Sequence, residues 1–508
     1  QVARGEAQGR LYLGLLMASC IAVVIVERSP AGAEAKPHWS FTMSRRITRR
    51  RALQTGAAGT LGYLFAGPAA SVARALGANE KIRVAGIGIG GKGSSDIDQA
   101  SGFMEVVAIC DIDDERLAVK AKKWPKATPF FDYRTLFDKM EKEIDAVTVS
   151  TADHSHARAS LWAMSAGKHV YCQKPLTHTV YEARVMRMVA ASKKVCTQMG
   201  NQGSALNGLR RAVEIVQSGI LGQVKEAHVW TNRPAQYWKQ SPDIVARPKE
   251  APVPKHVHWE EFIGPAPMRP YAVAFAPRPA YHPHDWRGYW DFGTGALGDM
   301  ACHTANMAFR ALNLGAPIAV SAEAGEINSE TFPAWGHIQY MFSARGELPA
   351  CTLHWYEGKN GDKKVLPPEE LLAKLLRPGE KLTDSGSILV GDKGILFSPS
   401  DYGAQFRLVP VAADVDFTKV QTKKPEKAVE GTDGDQDTHM KKEWADAIKA
   451  NKPELASSNF AYSGQLTETM LMGNIAVRFA GQKLEWDAAK MVFTNSEKAT
   501  KLVSKEYR

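Results

Sequence analysis

From residue 81 onward the chain alternates short, unbroken apolar runs with stretches of helical period. Val84 to Ile89, "MEVVAIC" at 104–110, Ile144 to Ser150, "HVYC" at 169–172 and "VCTQM" at 195–199 are the apolar runs. Runs without polar alternation mark strands covered on both faces, as in parallel sheets. "DERLAVKAKKW", "HARASLWAMSAGK" and "TVYEARVMRMVAASKK" stand between them and read as helices. Regular alternation of strand and helix predicts an α/β fold, a doubly wound Rossmann-type sheet over residues 76–205.

The rhythm changes after residue 205. "LRRAVEIVQSGILG" is a helix that stops on glycine, and "QVKEAHVWTN" alternates polar and apolar positions. That alternation belongs to a sheet with one solvated face. "PIAVSAEA", "HIQYMF", "ACTLHWYE", "SILVGDKGILFSP" and "FRLVP" add strands, and "THMKKEWADAIKAN" and "YSGQLTETMLMGNIAVRFA" close the chain as helices. Residues 206–508 are therefore expected to form a second α/β domain that binds substrate. Its segment 233–290, rich in Pro, Trp, Tyr and His, reads as long ordered loops. Segments 358–386 and 411–436 are polar, with Pro, Gly and Lys, and read as insertions or mobile loops.

The first 75 residues read as an address. An apolar run at 11–26 follows Arg4 and Arg10 and precedes "AEA" at 33–35, the pattern of a secretory segment, short for a membrane span, with a membrane anchor as the other reading. Met43 then opens a second signal, in which "TRRRALQ" resembles a twin-arginine export motif with Arg49 and Arg50 as the pair. "ARA" at 73–75 is the expected cleavage site. Residues 1–42 are expected to be an upstream extension and 43–75 a signal peptide, so that the mature chain has no stable membrane span and works outside the cytoplasm, in the periplasm.

Charge narrows the partners. The chain carries +10, but residues 1–75 hold ten Lys/Arg and three Glu, a surplus of seven that leaves about +3 beyond them. A nucleic-acid partner needs a basic face on the folded part, so that class is set aside. The six cysteines, at 20, 110, 172, 196, 302 and 351, form no CxxC pair and signal neither a disulfide framework nor a zinc site.

Two constellations carry chemistry. Gly88-x-Gly90-x-x-Gly93 follows the first strand and opens the first helix, and the next strand ends at Asp111, eighteen residues past Gly93. Glycines there let the backbone approach a pyrophosphate at a helix N-terminus, and the carboxylate suits ribose hydroxyls. The cofactor is NAD or NADP; Asp111 favours NAD by repelling a 2′-phosphate, while Lys92 and Arg116 soften that preference. The second constellation starts from Lys174, in "GKHVYCQKP", which ends a later strand of the same sheet, where open α/β sheets place their ligand crevice. Far downstream, Asp299 and His303 in "GDMACH" are four apart, on one face of a helix. A metal pair also has that spacing, but no third ligand accompanies it and no metal is assigned. A capping aspartate beside an unrelated core histidine is the other reading.

"GIGGKG", "CDID", "GKHVYCQKP" and "GDMACH", in this order, together resemble the glucose–fructose oxidoreductase, inositol dehydrogenase and rhizopine-catabolism (Gfo/Idh/MocA) family over nearly all of 81–480. The resemblance implies a Rossmann domain followed by an α/β domain with an open, mainly antiparallel sheet, whose open face is expected to form a homo-oligomer. It implies that Gly88, Gly90, Gly91, Gly93, Asp111, Ile112, Thr151, His156, Gln173 and Lys174 line the dinucleotide. It also implies that Lys174, Asp299 and His303 are catalytic. The family's Glu-Lys-Pro is Gln173, Lys174 and Pro175 here, and its frequent second aspartate after the histidine is Asn306.

The chemistry so implied is hydride transfer between the nicotinamide and a secondary alcohol of a sugar or polyol. A histidine suits removal of the hydroxyl proton, and a lysine stabilises the developing alkoxide. In "STADHSHA", His154 and His156 serve either the crevice or the start of a helix; Trp286, Arg287 and Trp290 either line the sugar pocket or pack beneath the loop. A redox-assisted glycosidase of the same superfamily and a non-catalytic sugar-binding protein are the competing functions. Lys174 argues against the former, and the intact trio against the latter.

Overall fold

A computed structural model describes residues 80–234, 237–275, 278–411, 415–417, 420 and 435–508. The expected upstream extension, export signal and cleavage sites lie outside these residues.

The first sheet is built from strands β1 (Arg83–Ile87), β2 (Glu105–Cys110), β3 (Thr128–Phe130), β4 (Ala146–Val149), β5 (His169–Cys172) and β6 (Thr197–Met199), in the order β3-β2-β1-β4-β5-β6. All five pairings are parallel. The unbroken apolar runs are buried because helices cover both faces: α1 (Lys92–Ala100), α2 (Asp114–Lys123), α3 (Tyr133–Met140), α4 (Asp153–Ser165) and α5 (Val180–Lys193). The order reverses between β1 and β4, which opens a crevice at their carboxyl ends.

After α6 (Asn207–Gln217) comes β7 (Val224–Thr231). A small sheet of β8 (Lys249–Glu250), β9 (Ala272–Phe275) and β10 (Arg278–Pro279), with α7 (Trp259–Ile263) between β8 and β9, then orders much of the aromatic segment. Trp259, Phe262, Tyr281, Trp286 and Phe292 form a core of its own there. Next come α8 (Gly295–Thr304), α9 (Asn306–Ala311), β11 (Ala319–Ala324), β12 (Trp335–Phe342), β13 (Cys351–Asn360), β14 (Lys363–Lys364), α10 (Glu369–Leu375), β15 (Gly386–Gly391), β16 (Gly394–Ser398) and β17 (Arg407–Pro410). The chain closes with α11 (Gln436–Ala450), α12 (Phe460–Val477), β18 (Lys483–Asp487), β19 (Val492–Phe493) and α13 (Glu497–Lys501).

The second sheet runs β17-β16-β15-β7-β13-β12-β11-β18-β19, with β14 paired to β13. Its pairings are antiparallel except β13 with β7. Successive residues of β12 alternate between partly exposed and buried, as a one-sided sheet requires.

Two placements go beyond the apolar pattern. Segment 358–386, expected as a loop, contains β14 and α10, and Leu372 and Leu375 pack against Trp230, Ile388 and Phe397 of the second sheet. Helix α11 returns to the first sheet: Met440, Trp444 and Ile448 share a core with Val84, Ile97 and Cys196. Among the described residues no helix is long and apolar enough to cross a membrane. The cysteines at 110, 172, 196, 302 and 351 are buried and unpaired.

Candidate active site

Strand β1 ends at Ile87 and the chain turns at Gly88, whose φ of 76° suits glycine and whose N–H bonds to the Cys110 carbonyl at 2.8 Å. Helix α1 follows with no acidic side chain in its first turn, which leaves its positive end open to an anion. Gly93 faces inward: a Cβ there would lie 1.9 Å from the Gly88 carbonyl oxygen, so this glycine sets the contact between helix and strand and does not line the crevice.

Asp111 follows β2. Its Oδ2 accepts from the Ile89 and Gly90 N–H groups at 2.8 and 3.0 Å, and its Oδ1 from Asp113 N–H at 3.1 Å. Burial raises its pKa, an effect opposed by those donors and by Arg116. Arg116 lies across Gly90, in space that a side chain at 90 would need. Open backbone, a helix N-terminus, a carboxylate and a guanidinium together fit a dinucleotide: pyrophosphate at the loop, ribose at Asp111.

A cavity of about 460 Å³ runs from this loop toward the second domain. Gly88, Gly90, Gly91, Asp111, Ile112, Thr151, His156, Gln173 and Lys174 line it, and so do Asp299 and His303. Lys174 follows β5 and meets the middle of α8. Its Nζ donates to the Asp299 carboxylate at 2.6 Å and to the Asp299 carbonyl at 2.8 Å. Burial would raise the Asp299 pKa, but Lys174 and Arg287 outweigh it and hold the carboxyl well below its usual range. His303, one turn along α8, is buried, and burial followed by the nearby Lys174 charge keeps its imidazole neutral. Its Nδ1 has no hydrogen-bond partner, and the Tyr402 ring meets it edge-on with centroids 4.6 Å apart. A neutral imidazole and an ammonium lining one cavity are groups that can act on a hydroxyl.

The other candidates divide. His156 is 1% exposed, and its nitrogens face the Pro175 and Thr151 carbonyls at 2.8 and 3.1 Å. His154 likewise faces the Phe262 and Phe292 carbonyls. Both rings tie backbone together at the crevice. Trp286 and Arg287 line the cavity, with Arg287 Nε 3.6 Å from Asp299. Trp290 instead packs on Phe332 and beneath Arg478. Among the described residues, the close grouping of three ligand-type side chains is Asp113, Glu115 and His256, and it includes neither Asp299 nor His303.

Two acids escaped the sequence reading. Asp153, at the start of α4, lines the cavity and accepts from the Thr294 hydroxyl at 2.6 Å. Burial pushes its pKa up to about 7 against the pull of Thr294, Arg287 and Lys174. Its position after a strand end, in "TADH", was the available signal. Asp96 of α1 is fully buried and bonds to Lys441, whose distance in sequence left no signal.

A Rossmann crevice lined by a lysine, an aspartate and a neutral histidine defines a class, the two-domain nucleotide-dependent oxidoreductases. Known proteins narrow it. The model of the oxidoreductase family's NAD-binding Rossmann fold (GFO_IDH_MocA) matches residues 81–201, and that of the family's C-terminal alpha/beta domain matches 207–363. Inositol 2-dehydrogenase of Salmonella typhimurium is 29% identical over 147 residues, 28% of this chain and 43% of the relative. Glycosyl hydrolase family 109 protein 2 of Akkermansia muciniphila is 30% identical over 154 residues, 28% of this chain and 32% of the relative. Both matches span less than half of the relative. The crystal structure of the WlbA dehydrogenase from Bordetella pertussis, in complex with NADH and UDP-GlcNAcA, superposes with a TM-score of 0.55 at 15% identity, covering 80% of this chain and 98% of that one. The chain belongs to the Gfo/Idh/MocA oxidoreductase family, and its first domain is an NAD-binding Rossmann domain.

Proposed function

We propose that the protein transfers hydride between NAD and a secondary alcohol of a sugar or polyol. The observation that carries this reading is that Lys174, Asp299 and His303 line the cavity that the glycine loop also lines, with Lys174 bonded to Asp299. Bound NAD supplies the hydride chemistry. The rest falls to the chain. His303, a neutral imidazole lining the cavity, takes the hydroxyl proton. Lys174 spends two of its three N–H donors on Asp299 and turns the third toward the alcohol oxygen, where negative charge develops. Asp299 fixes the lysine. Trp286 and Arg287 form the wall beside it. The names of similar proteins, an inositol 2-dehydrogenase and a levoglucosan dehydrogenase, support the substrate class.

The twin-arginine pattern at 48–53 supports an exported, periplasmic protein that folds around its cofactor before transport. The test of function is a panel of sugars and polyols, singly and in pairs, incubated with the protein and NAD+, followed by absorbance of free and protein-bound NADH and by product analysis. A ketose or lactone formed with NADH supports the reading. A free aglycone with no net redox change, as the glycosyl hydrolase relative suggests, contradicts it. A panel in which nothing changes also contradicts it.

A further inference from the structure

Gln173 stands directly before Lys174. Its amide is not idle. Nε2 donates to Asp96 Oδ2 at 2.8 Å, and Oε1 accepts from the Lys174 N–H at 3.3 Å. Gly200 lies against the same amide, since a Cβ there would come within 2.5 Å of Nε2, so the side chain has little room to turn.

Asp96 is 0% exposed and gathers donors from four directions. Lys441 of α11 and Lys92 of α1 each reach Oδ1 at 2.6 Å, and Ser150, after β4, reaches Oδ2 at 2.9 Å beside Gln173. Lys441 is itself 0% exposed, and its ammonium also donates to the Tyr171 hydroxyl of β5 at 2.9 Å. Burial alone would raise the Asp96 pKa, yet Lys441 and Lys92 bring it down to about 2, so the group is a carboxylate.

We propose that Asp96, from α1, holds the Gln173 amide in place, and that the Asp96–Gln173 hydrogen bond positions Lys174 for the hydride step. Asp96 is a positioning residue: it lies behind the cavity wall, and Gln173 stands between it and Lys174. A glutamate at 173 would put a second carboxylate oxygen at hydrogen-bond distance from Asp96 in a buried place, which neither charge tolerates. Glutamine at 173 and aspartate at 96 therefore form one exchangeable unit. A glutamate at 173 needs an amide at 96, because Asp96→Asn puts an N–H2 group where Oδ2 stands while the amide oxygen still faces Lys441. Asp437, 3.2 Å from Lys92 and 3.8 Å from Lys441, keeps both lysines next to a negative charge in that exchange.

This inference rests on the hydride-transfer reading for its catalytic part only. The test is a double-variant cycle in the full protein: Gln173→Glu, Asp96→Asn and both together. The readouts are kcat and KM on a substrate returned by the panel, NAD+ affinity by calorimetry, and the thermal midpoint. Each single variant should lower kcat about tenfold or more, and the pair should return to within about threefold of the unchanged protein, because contacting groups couple. A role in packing alone would lower the thermal midpoint without this reciprocal recovery of kcat. Single variants that turn over normally overturn the proposal, as does a pair no better than the worse single variant. If Asp96→Asn does not fold, a folded double variant gives the same support, and an unfolded one overturns it. If the unchanged protein oxidises no panel compound, the functional reading fails on its own. The coupling is then decided by NAD+ affinity and thermal midpoint, where the pair must recover what each single change loses.

Discussion

Lys174 has three N–H donors, and Asp299 takes up two of them. The third and the neutral imidazole of His303 are the groups left to act on an alcohol. Lys174→Ala and His303→Ala should each lower turnover by about a hundredfold or more, in the range of lost acid–base and electrostatic catalysis. NAD+ affinity by calorimetry should stay near that of the unchanged protein, and normal turnover in either variant would remove that residue from the catalytic set. Asp153 allows a test without substrate. An unfolded aspartate ionises near about pH 4, whereas buried Asp153 keeps its proton up to about 7. The folded state thus binds the extra proton between those values, so stability falls as pH rises through them, and the loss is complete above the folded pKa. Asp153→Asn removes this dependence. Chemical denaturation should show the unchanged protein losing stability, relative to the variant, by roughly a few kcal/mol between pH 4 and 8; parallel profiles would contradict the assignment. At this scale Lys174 was legible because a strand end dictates where a side chain points. Asp153 was not, since a carboxylate at a helix start has the same sequence pattern whether solvated or buried.

Helix α1 meets β1 through Gly93, with no space for a methyl group against the Gly88 carbonyl. Gly93→Ala must push the helix away from the loop that receives the pyrophosphate. NAD+ affinity should fall at least about tenfold, or 1.4 kcal/mol, and the melting temperature should drop with it; calorimetry and thermal scanning check both, and unchanged affinity would mean that this loop does not hold the cofactor. The β–α alternation of the first sheet was readable because doubly covered strands need unbroken apolar runs. What α11 packs on was not: Met440, Trp444 and Ile448 lie four residues apart and announce a buried face, but not its partner. Helix α10 was hidden for another reason. It is seven residues long, and its leucines sit among Pro, Gly and Lys that read as loop.

The two domains share one cavity, and segment 260–287 contributes to its wall through Glu260, Phe262, His282, Trp286 and Arg287. We propose that the protein is exported to a place where free NAD is scarce, and that it keeps its dinucleotide and regenerates it in place with a second sugar. Slow release is the route to such retention. Protein purified from the periplasm and dialysed extensively should carry stoichiometric NAD(H) by mass spectrometry and still interconvert sugars; empty protein that works only with added NAD would contradict this. The central claim, hydride transfer from a carbinol carbon by way of Lys174 and His303, is tested most directly by isotope. A panel substrate deuterated at its carbinol carbons is incubated with the protein, and the nicotinamide is analysed by mass spectrometry. The account predicts deuterium at the nicotinamide C4 with the unchanged protein and about a hundredfold slower appearance with Lys174→Ala. Product formed with no label on the nicotinamide, or label arriving equally fast without Lys174, would contradict it.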